Sequence, residues 1–346
     1  MKTAKDIENF IYHSSTPPEL LRQVGGGKAT NLAKMSQAGL PVPPWYCVAV
    51  NGFEHFKTHH NLNFDFSKWP DSTNLKKVSA AIEKQIMEHS FPAALIQQLE
   101  LANTEIGFQD IYVAVRSSGL DEDSSDHSFA GQFSSFLYQK NLTEIQQAIK
   151  GCWASGFSER ALSYRMEKGL KLDNIRVGVV VQKMLSATSA GVAFSRHPIR
   201  ILDRGTLLIS SVWGLGEGLV SGELDSDNFE VKRDPQLPKL LESGNIQRQI
   251  AEKDFYVVPQ LSAAKSGAPS GVVKVPLPVD KKSSPSLSDA QIKEVAKLVL
   301  KLEEITKSPQ DCEWVYENEK LWLVQTRPIT NIPSDAYFRL RGERVF

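Results

Sequence analysis

The sequence predicts an α+β fold built as two lobes. The chain of 346 residues is longer than one small hydrophobic core usually serves. Helical and strand-like segments follow one another irregularly, without the strict strand–helix–strand alternation of a parallel α/β fold. No segment repeats along the chain, so a solenoid is also disfavoured.

In the first half of the chain, turn residues separate the predicted elements. Gly39 and Pro41 end the first helix, and Pro92 separates two later helices. The polar stretch Asn61–Asn74 predicts a surface loop. The predicted helices are Lys28–Gln37, Lys76–Glu88, Ala93–Asn103 and Thr143–Trp153, the last capped by Thr143, and the predicted strands are Trp45–Val50, Ile111–Val115, Phe133–Leu137 and Arg176–Leu185.

The second half is predicted to be richer in strands. The segment Ser262–Ser288 is rich in Ser, Pro, Lys and Gly, which predicts a long surface excursion with one short β-like piece at Val272–Val275. Amphipathic spacing predicts a helix over Asp289–Ile305. The remaining predicted strands are Gly191–Ser195, Thr206–Val212, Asp311–Tyr316 and Leu321–Thr326, of which the last two form a closing hairpin.

Composition argues against several classes of function. Forty basic residues balance forty acidic ones, so no global field attracts nucleic acid or an anionic membrane. The three cysteines are far apart and form no CxxC pair, which argues against a disulfide framework or a thiolate zinc site. The first residues lack the apolar core of a signal peptide, and no run of about 18 apolar residues is present. We therefore expect a cytoplasmic protein that binds neither nucleic acid nor membrane.

Two short motifs are candidates for phosphate binding. Gly25-Gly26-Gly27-Lys28 opens a helix, where backbone N–H groups favour anions and glycine permits close approach. A Walker motif is excluded because Arg22 occupies the position of its first glycine. Arg116 follows a predicted buried strand and can present a bidentate guanidinium group to phosphate. A plain glycine turn, and an arginine paired with Asp121 or Asp123, remain equally good interpretations.

Other segments are less informative. Ser128–Gln132 could close over phosphates or form a plain turn, and Trp213–Gly218 supplies a flexible backbone with one carboxylate, Glu217. The seven histidines show no HExxH or similar ligand spacing, so ordinary surface or loop roles are expected for them.

The predicted hairpin carries the strongest chemical signal. Asp311 and Glu313 lie two residues apart, as do Gln325 and Arg327, so each pair shares one face of its strand. A connecting loop at Asn318–Lys320 places Asp311 opposite Arg327 and Glu313 opposite Gln325. The other face then carries core residues, namely Cys312, Trp314, Tyr316, Trp322 and Val324. Carboxylate and amide oxygens suit Mg²⁺, whereas cross-strand ion pairing on a solvated face is the alternative interpretation.

Eight short motifs, taken in order, resemble the N-terminal ATP-grasp domain of phosphoenolpyruvate synthase, pyruvate phosphate dikinase and rifampin phosphotransferase. The motifs are Val24–Leu32, Pro41–Pro44, Ala114–Ser118, Ser128–Gln132, Cys152–Ser155, Val181–Met184, Gly214–Gly222 and Gln325–Thr330, so the resemblance covers about residues 20–332. It implies an ATP-grasp-like fold with the nucleotide between two lobes, at residues 1–187 and 188–332, followed by a linker or tail at 333–346.

The resemblance implies a role for each matched side chain. Lys28, Arg116 and Arg327 would engage the nucleotide phosphates as the catalytic cations. Glu313 and Gln325 would hold Mg²⁺. The other positions implied in binding ATP are Asp311 and Glu217 near the metal, Gln182, Lys183 and Met184 at the adenine, and Gly131 and Gln132 in a loop that closes over the phosphates.

The resemblance also implies further domains. Full-length members continue into a swivelling domain, whose phosphoryl-accepting histidine lies in a threonine- and glycine-rich segment, and into an acceptor-binding domain. None of the seven histidines here lies in such a segment. We therefore expect a component that cleaves Mg-ATP toward AMP and passes a phosphoryl group to a histidine on a separate domain or partner. Pyruvate or a rifamycin-like antibiotic is the expected kind of final acceptor. A regulatory or degenerate nucleotide-binding module without transfer activity is the alternative.

Overall fold

The computed structural model describes two compact units. The described residues are 8–64, 66, 74–120, 123–124, 127–128, 134–172, 174–233, 241–260 and 271–330. Of these, the first unit comprises those within 8–37 and 44–184 together with residue 271, and the second comprises those within 38–43, 185–260 and 272–330. Both units combine helices with antiparallel sheet, so the predicted α+β class is confirmed.

The first unit is built on a five-stranded antiparallel sheet. The strands of this unit, including two outside the main sheet, are β1 (Ile11–His13), β2 (Trp45–Val48), β3 (Val113–Gly119), β4 (Asp123–Ser124), β5 (His127–Ser128), β6 (Ser135–Gln139) and β7 (Val177–Lys183). Its helices are α1 (Pro18–Val24), α2 (Gly26–Gln37), α3 (Val50–His59), α4 (Leu75–Glu88), α5 (Ala93–Ile106), α6 (Leu142–Ser155) and α7 (Glu159–Glu167). The sheet order is β1-β2-β7-β3-β6, and β4 pairs with β5.

An aromatic-rich core covers one face of this sheet. Val113 and Val115 of β3 belong to the core, because alternate residues of a strand share a face. Trp153 of α6 is fully buried and lies in ring contact with Phe53 and Phe91, at centroid distances of 5.1 and 5.3 Å. Each fully buried apolar side chain of this kind contributes roughly 1.5–3 kcal/mol to folding. The core fixes the sheet from one side and leaves its other face for α2.

The second unit is built on a six-stranded antiparallel sheet. The strands of this unit, including two outside the main sheet, are β8 (Ser189–Phe194), β9 (Thr206–Trp213), β10 (Asp227–Arg233), β11 (Leu241–Gln249), β12 (Phe255–Pro259), β13 (Val272–Pro276), β14 (Gln310–Glu317) and β15 (Lys320–Pro328). Its helices are α8 (Glu217–Val220), α9 (Val279–Lys282) and α10 (Asp289–Thr306). The sheet order is β11-β10-β9-β8-β14-β15, and β12 pairs with β13.

Helix α10 packs on one face of β14. The helix begins at Asp289, as predicted, and a capping box formed by Ser288 and Gln291 stabilises its start. Trp314 and Tyr316 of β14 are buried at this face, and the Tyr316 hydroxyl donates to Glu294 Oε2 of α10 at 2.6 Å. The opposite face of β14 carries the polar side chains described below.

Several predicted boundaries are wrong for identifiable reasons. β3 continues to Gly119 rather than ending at Val115, because its last residues pair with β7. Val50 begins α3 rather than ending a strand. Asn141, not Thr143, caps α6, and its side chain accepts from the Glu144 N–H at 2.9 Å.

Part of the predicted surface excursion at 262–288 lies outside the described residues, and its described part contains β13 and α9. None of the described helices combines the length and hydropathy needed to cross a lipid bilayer.

Candidate functional site

The glycine run begins α2 against the end of β3. Gly26 has a φ of +79°, and a Cβ atom there would overlap the carbonyl oxygen of Ser118. The Ala29 N–H donates to Ser118 Oγ at 3.3 Å. Ser118 and Arg116 lie two residues apart in β3, so both side chains share the sheet face that α2 contacts. The fold therefore brings Arg116 and the helix carrying Lys28 to one face of the first unit's sheet, and both cations are half-buried.

Gln182 lies on this face in the neighbouring strand, where β7 pairs it with Ala114. Its residue surface is 3% exposed, and its Nε2 atom has no hydrogen-bond partner within the described part of the chain. A buried donor without a partner costs about 1–3 kcal/mol, so an acceptor supplied by a ligand would bind favourably here. Lys183 and Met184 follow at the end of β7 with half-buried side chains.

The β14–β15 hairpin pairs its four polar side chains as the sequence predicts. Asp311 lies opposite Arg327, and Glu313 lies opposite Gln325. Arg327 Nε donates to Asp311 Oδ2 at 2.7 Å, and Gln325 Nε2 donates to Glu313 Oε1 at 3.3 Å. The hairpin thus places two carboxylates, an amide and a guanidinium group on one face.

The observed turn and the course of β15 differ from the prediction, although the polar pairs are the same. The turn has two residues, Asn318 and Glu319, with φ of 48° and 64°, rather than the predicted three-residue loop. Val324 is an extra residue in β15, opposite no partner of its own in β14, and forms a β-bulge. The bulge compensates for the shorter turn, so the predicted polar pairs are retained.

The bulge reverses the faces predicted for the turn-proximal half of β15. Leu321 and Leu323 are 4% and 1% exposed, and Leu323 lies opposite Trp314 on the core face. Trp322 and Val324 are half-buried instead. The prediction that Trp322 and Val324 belong to the core is therefore wrong, because a bulge interrupts the two-residue alternation on which it rests.

Asp311 is held in surroundings that disfavour its charge. Its residue surface is 8% exposed, and burial raises the pKa of its carboxyl group above the usual range. The Arg327 guanidinium lowers this pKa, and the neighbouring Glu313 carboxylate raises it further. Arg327 is therefore the group that stabilises the charged form of Asp311.

Glu313 and Gln325 present oxygen atoms of the kind that Mg²⁺ binds in proteins. Gln325 Oε1 is buried and has no hydrogen-bond partner among the residues that the structure describes. Mg²⁺ takes few protein ligands and completes its shell with water and phosphate oxygens. The described residues contain no group of three or more His, Cys, Asp or Glu side chains able to enclose a metal ion by themselves.

The polar face opens into a pocket of about 180 Å³ in the second unit. The lining residues are Val192, Phe194, Leu219, Val220, Asp311, Glu313, Gln325 and Arg327. Sequence reasoning gave no role to the four apolar ones. The pairing of β8 with β14, which brings Val192 and Phe194 to the pocket, joins segments that are far apart in the chain, and Leu219 and Val220 come from α8. Glu217 begins α8 with an exposed side chain and is not among the lining residues. The predicted phosphate-loop residues Gly131 and Gln132 lie outside the described residues.

Comparison with known proteins identifies long relatives. The probable phosphoenolpyruvate synthase of Methanothermobacter thermautotrophicus is 34% identical over 322 residues, which are 89% of this chain and 44% of that protein. Phosphoenolpyruvate synthase of Pyrococcus furiosus is 31% identical over 360 residues, covering 90% of this chain and 42% of that protein. The prodigiosin synthesizing transferase PigC of Serratia marcescens is 33% identical over 307 residues, covering 88% and 31%. The chain spans less than half the length of each of these relatives.

A solved structure of D-alanyl-alanine synthetase A from Vibrio cholerae aligns with 92% of this chain and with 61% of the synthetase chain, at a TM-score of 0.32 and 11% identity. This similarity is too low to define the fold. The family described as "Pyruvate phosphate dikinase, AMP/ATP-binding domain" matches residues 22–338. Because this match covers most of the sequence, the chain belongs to the family of pyruvate phosphate dikinase AMP/ATP-binding domains.

Proposed function

We propose that this chain binds Mg-ATP and cleaves it toward AMP, as the ATP-binding component of a phosphoenolpyruvate-synthase-like phosphotransferase. The observation that carries the proposal is the polar face of β14 and β15, where two carboxylates, an amide and Arg327 meet in one pocket. The pocket volume of about 180 Å³ is smaller than the roughly 300–1,000 Å³ of a complete small-molecule site. It suits metal-bound phosphates rather than a whole nucleotide.

The residues of this chain provide charge neutralisation and positioning, which dominate catalysis of phosphoryl transfer. We assign Arg327, Lys28 and Arg116 to the phosphates, because each is a cation with several N–H donors. Glu313 and Gln325 would hold Mg²⁺, which when bound neutralises phosphate charge and orients the phosphate oxygens. The other proposed binding residues are Gln182, Lys183 and Met184 at the base, Asp311 and Glu217 near the metal, and Gly131 and Gln132 over the phosphates.

The phosphoryl group is proposed to pass to a histidine on a swivelling domain, either in the same polypeptide or in a partner protein. A third, acceptor-binding domain would then deliver it to a small molecule such as pyruvate or a rifamycin-like antibiotic. The length of the relatives supports this proposal, since each has more residues outside the matched region than within it. Their names range from phosphoenolpyruvate synthase to a prodigiosin synthesizing transferase, so the acceptor is the least constrained part of the proposal.

Isothermal titration calorimetry with ATP, in the presence and absence of Mg²⁺, tests the proposed binding. We expect Mg-ATP to bind more tightly than ATP alone. Arg327→Gln and Arg116→Gln should each weaken binding about tenfold or more, because a hydrogen bond from a charged group contributes about 1.5–3 kcal/mol.

Arg200→Gln is the matched control for Arg327→Gln. The two arginine side chains are 47% and 49% exposed and each pairs with a carboxylate, but Arg200 does not line the pocket. The Arg200→Gln variant should bind Mg-ATP with the same affinity as the wild type. Absence of binding at millimolar nucleotide, with the protein folded, would exclude the proposed function.

A further inference from the structure

The proposed function explains the polar half of the pocket but not its apolar wall. Leu219 and Val220 of α8 line the same pocket as the four polar side chains of the hairpin. Leu219 is half-buried, whereas Val220 exposes 64% of its surface. A single exposed apolar side chain is common at a protein surface, so what distinguishes Val220 is its place beside the four polar side chains of the pocket.

Close backbone packing holds α8 in place. Gly214, which precedes α8, has a φ of +72°, and a Cβ atom there would lie 2.5 Å from the carbonyl oxygen of Val257 in β12. Inside the helix, a Cβ atom on Gly218 would lie 2.6 Å from the Leu224 side chain. The first contact and the positive φ restrict Gly214 to glycine, whereas a side chain at Gly218 would require the Leu224 side chain to move. The wall is therefore presented by a backbone packed against β12 and against the segment that follows the helix.

Strand β8 extends the apolar surroundings across the sheet. Val192 lies opposite Glu313, and Phe194 lies opposite Asp311, on the pocket face. The polar row of the hairpin is therefore bordered by apolar side chains from both β8 and α8. These apolar side chains offer neither a donor nor an acceptor to a water molecule beside the polar row.

Water is the acceptor that competes with a histidine for the phosphoryl group. In hydrolysis to AMP, the water oxygen forms a bond to the β-phosphorus while the bond from that phosphorus to the α–β bridging oxygen breaks. The electron pair of the broken bond stays on AMP, a proton passes to solvent, and pyrophosphate is released. In transfer, the lone pair of an imidazole nitrogen forms a P–N bond to the same phosphorus while the same bond breaks, and later hydrolytic loss of the γ-phosphate leaves one phosphoryl group on the histidine. A polar side chain beside the phosphorus would hold and orient a water molecule for the first reaction, whereas Leu219 and Val220 offer neither donor nor acceptor.

We propose that Leu219 and Val220 are specificity-determining residues that suppress hydrolysis of bound ATP and so keep the phosphoryl group for its acceptor. The inference rests on the proposed ATP cleavage and adds a task for α8 that charge neutralisation does not require. It concerns the choice between water and the acceptor, and not the affinity for ATP.

Val220→Thr tests the inference with a matched control, Val279→Thr. The substitution keeps the branched shape and adds a hydroxyl group that can hold water. Val279 is 85% exposed on α9 and does not line the pocket. Leu219→Asn provides a second polar change in the wall. The purified chain, without any acceptor domain, is incubated with saturating Mg-ATP, and ADP and AMP are quantified by chromatography, while calorimetry reports the Kd for Mg-ATP.

We expect Val220→Thr and Leu219→Asn to raise the hydrolysis rate constant roughly two- to tenfold, the effect of one hydrogen bond to the attacking water. Val279→Thr should match the wild type, and the Kd should be unchanged in all three variants. Unchanged hydrolysis with normal affinity in both wall variants would overturn this inference and leave the proposed function standing. Weaker binding without faster hydrolysis would also overturn it, by assigning the wall to nucleotide binding. If the wild type binds no ATP, the proposed function fails and the inference with it.

Discussion

At the scale of single residues, adjacent positions of β14 serve opposite purposes. Glu313 is half-buried on the pocket face, whereas Trp314 is 1% exposed on the face that packs against α10. A shift of one residue in register would exchange these faces. The different environments of these two neighbours make them a sensitive probe of the hairpin.

Glu313→Gln should weaken Mg-dependent ATP binding and leave the Tm unchanged, because it removes a charge from the pocket with little change in volume. Trp314→Ala should instead lower the free energy of unfolding by about 3–5 kcal/mol, the usual effect of truncating a large buried aromatic residue. Thermal melts and calorimetry on both variants measure the two effects. The reverse ranking of the two melts would show that the assigned faces are exchanged.

At the scale of elements, the contact between α2 and β3 depends on one glycine. Gly26 and Gly39 both have positive φ, at +79° and +70°. A Cβ atom on Gly39 would meet nothing within 4 Å, whereas one on Gly26 would overlap the Ser118 backbone. Substituting each of these two glycines therefore separates the energetic effect of a positive φ from that of the close approach between α2 and β3.

Gly39→Ala should destabilise the protein by about 1–2 kcal/mol, the strain of a left-handed alanine, and leave ATP affinity unchanged. Gly26→Ala carries the same strain and must also push α2 away from β3, so it should cost more stability and weaken ATP binding by displacing Lys28. Urea unfolding and calorimetry compare the two variants. Equal losses of stability with unchanged ATP affinity would show that the close approach has no role in the site.

Elements with a local signal could be predicted from the sequence, and those without one could not. The capping box of Ser288 and Gln291 marks the start of α10, and the predicted helix ends within one residue of the observed one. By contrast, α3 begins at the β-branched Val50 after Ala49, which makes no side-chain cap, so local rules predict a strand there. The polar pairs of the hairpin follow from alternation alone. The apolar wall of the pocket depends on tertiary packing, which no local pattern encodes.

At the scale of the whole molecule, the proposed nucleotide ligands are divided between the two units. Lys28, Arg116 and Gln182 belong to the first, and the polar residues of the hairpin belong to the second. His55, His59, His60 and His89 follow one another in ring contact in the first unit, and none of the described histidines lines the pocket of the second unit.

We therefore expect the purified chain to bind ATP, turn it over only slowly and retain no stable phosphohistidine. In-line attack needs an acceptor held about 3–3.5 Å from the phosphorus. A histidine-bearing domain supplied in trans should increase AMP formation. Chromatography of nucleotides and retention of radiolabel on each protein measure the outcome. Rapid AMP formation by the chain alone, with label on one of its own histidines, would make it a self-sufficient enzyme.

The bulge at Val324 has a consequence for how the length of β15 can change in evolution. Leu321, Leu323, Gln325 and Arg327 are spaced as if they shared one side of a strand, yet the first two face the core and the last two face the pocket. Val324 is the one extra residue between these two halves of the strand. Loss of that residue joins Leu323 directly to Gln325 and preserves both orientations, at the expense only of the added local twist. Homologous chains can therefore lose one residue here and keep the site, whereas the loss of a second residue would turn Gln325 and Arg327 away from the pocket.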